Sequence, residues 1–216
     1  MITNALRGTP VSLKGLHNPL DDLAGFDGAI NLSTARVLLM ATHGYEEAEL
    51  FDPRQGMLDA GATVVVASFA KEPIVGVRYD RTSGKSVPSL RNLTPDLLLS
   101  EVDVHSFDAL LLPGGADNPA ALRGSSEALD IVRRFAAERK LIASICHASS
   151  LLAEAGVIEG RRVTGWSSIR PRLETAGAFV VDEPVVVDGN LISSRMPSDI
   201  PAFTAAILSA LARVHR

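Results

Sequence analysis

Apolar residues along this chain gather in short unbroken runs, and the runs are separated by segments of helical spacing. "ARVLLMA" (35–41), "ATVVVASF" (62–69), "FDALLLPGG" (107–115) and "KLIASI" (140–145) are the clearest runs. A run of this length bounded by turn residues is the pattern of a strand buried on both faces. Between them, "EEAELFDPRQGMLDAG" (46–61) places Leu50, Met57 and Leu58 on one side, with Gly61 as a stop. "SSEALDIVRRFAAERK" (125–140) is amphipathic, with serine at its start and basic residues at its end. "SIRPRLETAGA" (168–178) predicts a helix closed by Gly177, and "SDIPAFTAAILSALARV" (198–214) an apolar-striped one. A short helix is also expected over "NLTPDLLLSEVD" (92–103), with Thr94 as N-cap and Pro95 in the first helical position. "IVGVRYDRTSGKSVP" (74–88) reads as a β-excursion with a Ser-Gly turn, and "RRVTGW" (161–166) as a short strand. "FVVDEPVVVDGNLISS" (179–194) reads as a strand run with an Asp-Gly-Asn turn.

Strands alternating with helices predict an α/β fold with a mostly parallel central sheet and right-handed crossovers. Residues 36–216 are expected to form one such domain, preceded by an arm, 1–35, rich in Gly, Asn and Asp and partly irregular. Charged residues are 21% and the net charge is −4, with no basic run. Nucleic acid is therefore not an expected partner, because phosphate binding needs clustered Lys and Arg. No apolar run approaches the ~20 residues of a membrane-crossing helix, and the arm has no signal-peptide core. A lone cysteine, Cys146, forms no internal disulfide and fits a reducing, cytoplasmic setting. Five scattered histidines with one cysteine offer no zinc-ligand spacing, so no metal and no cofactor is expected.

In such sheets reactive groups gather at the carboxyl ends of the strands. Three segments qualify: the acidic patch after Ala41, the pair Gly114-Gly115, and Cys146 after Ile145. A strand turning sharply into a helix at a nucleophile needs small residues two before and two after it, here Ser144 and Ala148. At the helix start, unpaired amides favour the thiolate; the plainer alternative is a buried structural cysteine. Gly115 and the amide of His147 together have the makings of an oxyanion hole, and a tight turn wants glycine as well. Of Glu46, Glu47 and Glu49, two are accounted for by the helix dipole, and one is enough to face the thiol. Beside sulfur it would be protonated and donate a hydrogen bond. His147 is the nearest base, although adjacency in sequence does not by itself bring its ring to the sulfur.

The motifs "YEEAELFDP", "DALLLPGG", "ASICHASSLLAEAGVIEGRRVTGWSSIR", "AGAFVVDEPVVVDGNLISSR" and "PSDIPAF" occur in that order over 36–213. In this they resemble the PfpI family of intracellular proteases and deglycases, in the ThiJ/PfpI superfamily. The resemblance implies a flavodoxin-like three-layer sandwich assembled as dimers or larger homo-oligomers. It implies Cys146 as nucleophile, Glu49 as the acid bonded to it with Glu46 as second choice, His147 as the adjacent histidine and Gly115 in the oxyanion hole. Glu46, Gly114 and the aromatic Trp166 would border the substrate. Two departures stand out: Ala148-Ser149 replace the usual Gly-Pro after the histidine, and Ala120 stands where a neighbouring subunit's acid would orient it. Asp117 is the nearest acid to that place. The implied activities are a glyoxalase III or deglycase reaction on small reactive carbonyls or glycated protein and nucleotide, an intracellular cysteine peptidase, or a redox-sensing, chaperone-like stress protein. Glutamine amidotransferases share the elbow but need a His-x-Glu pair downstream, and beyond His147 this chain has only His215.

Overall fold

The computed structural model describes residues 30–80, 82–83 and 85–214. The apolar runs become β1 (Arg36–Met40), β2 (Thr63–Ser68), β6 (Ala109–Leu112) and β7 (Leu141–Ile145). With β5 (Leu97–Leu98), β10 (Val185–Asp188) and β11 (Leu191–Ser194) they build a seven-stranded sheet in the order β10-β11-β7-β6-β1-β2-β5. Every neighbouring pair is parallel except β10 with β11. The antiparallel hairpin turns at the expected Asp-Gly-Asn: Asp188, Gly189 and Asn190 make a tight turn, with Gly189 at φ +56°, too short for a crossover.

Alternation along β1 divides the interior. Val37, Leu39 and Ala41 join one buried cluster with Leu50 and Met57 of α1 (Glu47–Asp59) and Phe203 and Ile207 of α6 (Ile200–Val214). Leu38 and Met40 face the other cluster, with Ile131 and Phe135 of α3 (Ser126–Ala137), Leu151 of α4 (Ser149–Ala155) and Leu173 of α5 (Arg170–Thr175). This is the three-layer sandwich that a sheet buried on both faces demands, each fully buried leucine contributing ~2 kcal/mol. Ser125 caps α3 by accepting the amide of Ala128 at 3.2 Å. Gly61 and Gly177, at φ +93° and +81°, follow the ends of α1 and α5. Among the described residues no helix is long and apolar enough to cross a membrane.

The helix expected over 92–103 is absent. Asn92 and Leu93 end β4 (Lys85–Leu93), which pairs antiparallel with β3 (Ile74–Asp80), and Leu97–Leu98 form the sheet edge before one 3₁₀ turn, Leu99–Glu101. Asp96 explains the difference: its amide donates to Val66 O at 2.8 Å and its Oδ2 accepts Val66 N at 2.8 Å, which fixes the segment to β2 in extended form. The short strands β8 (Arg162–Val163) and β9 (Phe179–Val180) pair separately. The arm expected over 1–35 lies outside the described residues as far as position 29. Over 30–35, Leu32 and Ala35 are fully buried and Leu32 N donates to Ala60 O at 2.7 Å, so this stretch closes over the end of α1.

The sequence reading contained no counterpart of α2 (Asp117–Arg123). Its fully buried Asn118 ties three backbone groups together. Oδ1 accepts Thr42 N at 2.7 Å, while Nδ2 donates to Pro113 O at 2.8 Å and Gly114 O at 3.1 Å. Those groups belong to the loops leaving β1 and β6, so one side chain sets the spacing of two segments at the sheet's carboxyl edge. An Asn118→Ala variant leaves these groups buried without partners and is expected to lose about 3 kcal/mol of unfolding free energy, read as a lower urea midpoint with an unchanged m-value.

Candidate active site

Strand β7 is buried from end to end, and the chain turns sharply at its last residue. Cys146 has φ +62°, the left-handed region, which costs a residue with a Cβ about 1–2 kcal/mol. Hydrogen bonds around it hold the turn. Trp166 N donates to Cys146 O at 3.2 Å, and Ser150 Oγ to His147 O at 2.6 Å. Ser144 and Ser149 share a hydroxyl contact of 3.0 Å, and Ser149 Oγ donates onward to Thr164 O at 3.0 Å. The small residues expected at 144 and 148 are both buried: Ser144 works as a bracket under the turn, and Ala148 fits because it is small.

Two glycines from the end of β6 close the other side. A Cβ on Gly114 would lie 2.4 Å from Glu49 Oε2 and 2.7 Å from the Cys146 Cβ; one on Gly115, at φ +88°, would lie 2.0 Å from Gly44 O. Both positions therefore need glycine. The Gly114 amide donates to Glu49 Oε2 at 3.0 Å, so it is committed to the acid. The amides of Gly115 and His147 donate toward the sulfur of Cys146.

Glu49 is fully buried on the first turn of α1, and its Oε1 has no hydrogen-bond partner among the described residues. Burial, with the charge of Glu46 behind it, pushes its carboxyl up to about 8. Burial also pushes the Cys146 thiol up, followed by the charge of Glu49, while the two amides pull it back down. Once Glu49 holds its proton, its charge no longer opposes the thiolate, and the amides and a neutral acid remain around the sulfur. Glu46 is engaged elsewhere: it is buried, and its Oε1 accepts Tyr79 N at 3.3 Å from β3. Glu47 Oε2 accepts Ser89 Oγ at 2.5 Å, also away from the thiol.

The imidazole of His147 does reach the sulfur, with Nδ1 at 3.4 Å from Sγ. Its Nε2 lies 3.4 Å from Ser168 Oγ, and its ring is tilted over Trp166 at 5.8 Å between centroids. Burial and the charge of Arg123 lower the His147 pKa, so the ring is neutral near pH 7. Ser168 and Arg123 were not singled out in the sequence. Their signals, the second serine of "TGWSSIR" and a basic residue eight positions after Gly115, carry meaning only when the fold brings them to the histidine. Asp117 is exposed at the start of α2 and packs against Gly44, while Ala120 borders a cavity of about 230 Å³ beside His147. Among the described residues no group of His, Cys, Asp and Glu is arranged to hold a metal ion.

Comparison with known proteins identifies the family. Over 168 residues the chain is 38% identical to Deglycase PfpI of Pyrococcus furiosus, covering 78% of this chain and 94% of that one. General stress protein 18 of Bacillus subtilis is 34% identical over 180 residues, 82% of this chain and 97% of its own. A two-domain protein of Anabaena variabilis, with DJ-1/ThiJ/PfpI-like and ferritin-like domains, superposes with a TM-score of 0.74 at 32% identity. That match covers 82% of this chain and 48% of the Anabaena protein, so the chain spans about half of it. The DJ-1/PfpI family model matches residues 35–210, and the chain belongs to the DJ-1/PfpI family.

Proposed function

We propose that the chain is a carbonyl-protective enzyme of the glyoxalase III or deglycase type, using Cys146 as nucleophile and no cofactor. The observation that carries the reading is the fully buried Glu49, a carboxyl neutral at pH 7 packed against the Cys146 turn. The names of the relatives, a deglycase and a general stress protein, point the same way.

The reaction follows from the groups in place. The Cys146 thiol gives its proton to Nδ1 of neutral His147, which requires the imidazole proton on Nε2, facing Ser168 Oγ. The thiolate adds to the aldehyde carbon of a 2-oxoaldehyde such as methylglyoxal, and the amides of Gly115 and His147 stabilise the charge developing on oxygen. Protonation of that oxygen gives a hemithioacetal. His147, neutral again once it has protonated that oxygen, takes the proton from the former aldehyde carbon, while protonated Glu49 gives one to the neighbouring carbon and regains it from the imidazolium, producing the thioester of a 2-hydroxy acid. Water cleaves the thioester, releasing lactate and the free thiol. The sum is methylglyoxal plus water giving lactate. A glycated amine is the same carbonyl carbon with nitrogen attached, and thiolate attack there releases the amine. Peptide hydrolysis would need His147 oriented by an acid, and the residue at its Nε2 is Ser168.

Lactate formation from methylglyoxal tests the reading. Wild type is expected to turn over, Cys146→Ala to fall at least ~1000-fold and Glu49→Gln about 100-fold. No lactate from wild type, or equal rates in the cysteine variant, overturns it.

The raised Glu49 pKa fixes two pH effects. Above pH about 8 the Glu49 charge opposes the thiolate, so wild-type kcat/KM should descend through that pH. Stability follows from linkage: the folded carboxyl titrates at about 8 and the unfolded one near 4.5, so Glu49 costs nothing below 4.5. Between these values wild type loses on the order of 5 kcal/mol. Glu49→Gln should lack this loss, and denaturant unfolding of both proteins at pH 5 and pH 9 measures it.

A further inference from the structure

The cavity beside His147 has a composition that the reaction above does not use. It lies between α2, the Cys146 turn and α5, and is lined by Arg123, Arg172, His147, Ser150 and Ala120. Among the described residues no acidic side chain lines it. Arg172 has its own partner outside, Glu154, at 3.1 Å. Arg123 is half-buried, and its Nε is buried without a hydrogen-bond partner among the described residues. A buried guanidinium N–H without an acceptor costs about 1–3 kcal/mol, and an anionic ligand would recover that cost. A planar guanidinium is also suited to two-pronged binding of a carboxylate or phosphate.

We propose that this cavity is an anion subsite that holds the charged tail of the substrate, with Arg123 as its principal contact and Arg172 as the second cation. Resting on the function proposed above, it names the substrate class: a 2-oxoaldehyde that carries a carboxylate or phosphate a few bonds from the reacting carbon. His147 connects the two places, since its ring borders the cavity while its Nδ1 faces the sulfur. A substrate anchored by its tail in the cavity thus has its carbonyl end directed toward Cys146. Ala120 matters here through what it lacks. An acid at that position would pair with Arg123 and repel an anion, whereas alanine contributes a methyl and leaves the cavity positive. His147 keeps its accepting form beside these cations because burial, and after it the Arg123 charge, disfavours its protonation.

The test compares three substrates sharing one reacting head: methylglyoxal, neutral; 4,5-dioxovalerate, with a carboxylate tail; and hydroxypyruvaldehyde phosphate, with a phosphate tail. Wild type should prefer at least one anionic substrate by about tenfold or more in kcat/KM, through a lower KM, and the preferred tail tells carboxylate from phosphate. In Arg123→Gln that preference ratio should fall about tenfold, and Arg123→Lys should recover part of it. A change acting only through His147 would lower all three rates together and leave the ratio unaltered. Binding of inorganic phosphate to wild type and Arg123→Gln, by calorimetry, gives a readout free of turnover. Phosphate binding that depends on Arg123, without turnover of any aldehyde, sustains the subsite and removes the proposed reaction. Turnover of methylglyoxal with no anion preference and no phosphate binding overturns the subsite and leaves the reaction standing.

Discussion

The left-handed backbone at Cys146 is the constraint around which this edge of the sheet is built. At φ +62° a residue with a Cβ costs free energy, and it persists because its neighbours leave the chain no other route. Strand β7 is flanked by β6 and β11 in parallel register, so Ile145 cannot shift. The Trp166 amide fixes the Cys146 carbonyl, and the Ser144–Ser149 contact draws the helix back under the strand. The geometry that aims the thiol out of the strand is therefore supported by the whole central sheet. It would not survive as a local loop.

A second cost is concentrated at the same place. Glu49 lies on the first turn of α1, where a carboxylate would ordinarily sit in water and complement the helix dipole. Here it is buried, one oxygen bonded to Gly114 N and the other with no hydrogen-bond partner among the described residues. The cost of burying charge is avoided by keeping the proton, and a neutral acid is what a nearby thiolate tolerates. Gly114 makes the arrangement possible: any side chain there would collide with both Glu49 and Cys146. The two costly features are thus coupled, since moving either group opens the contact that justifies the other.

How much of this could be read from the sequence depends on the range of the signal. The core strands were legible because β1, β2, β6 and β7 are continuous apolar runs, and Cys146 because the residues that permit its turn are its immediate neighbours. The edge was not. Thr94-Pro95 carries a helix-start signal, but Asp96 makes two hydrogen bonds to Val66, thirty residues earlier, and tertiary pairing overrode local propensity. Of three clustered glutamates, spacing could not choose one. The structure separates them by what each meets: Gly114 for Glu49, Tyr79 for Glu46 and Ser89 for Glu47. Asn118, Ser168 and Arg123 were invisible for the same reason, because each acts on a segment far away in the chain.

The surroundings of His147 tie these points to chemistry. A histidine paired with an acid is stabilised as imidazolium, which suits a resting ion pair with thiolate and protonation of an amine leaving group. Here the ring is half-buried, stacked near Trp166, hydrogen-bonded to a neutral serine and placed in the field of a cation. Burial first, and the Arg123 charge second, favour the neutral ring, so the proton store of the site moves to Glu49, on the other side of the sulfur. A neutral base and a neutral acid flanking one thiol are suited to moving a proton between adjacent carbons, where the group that accepts must soon donate. The Arg123 charge, which adds to burial in keeping His147 uncharged, also makes the adjoining cavity attractive to an anion, so one guanidinium bears on both the choice of base and the choice of substrate.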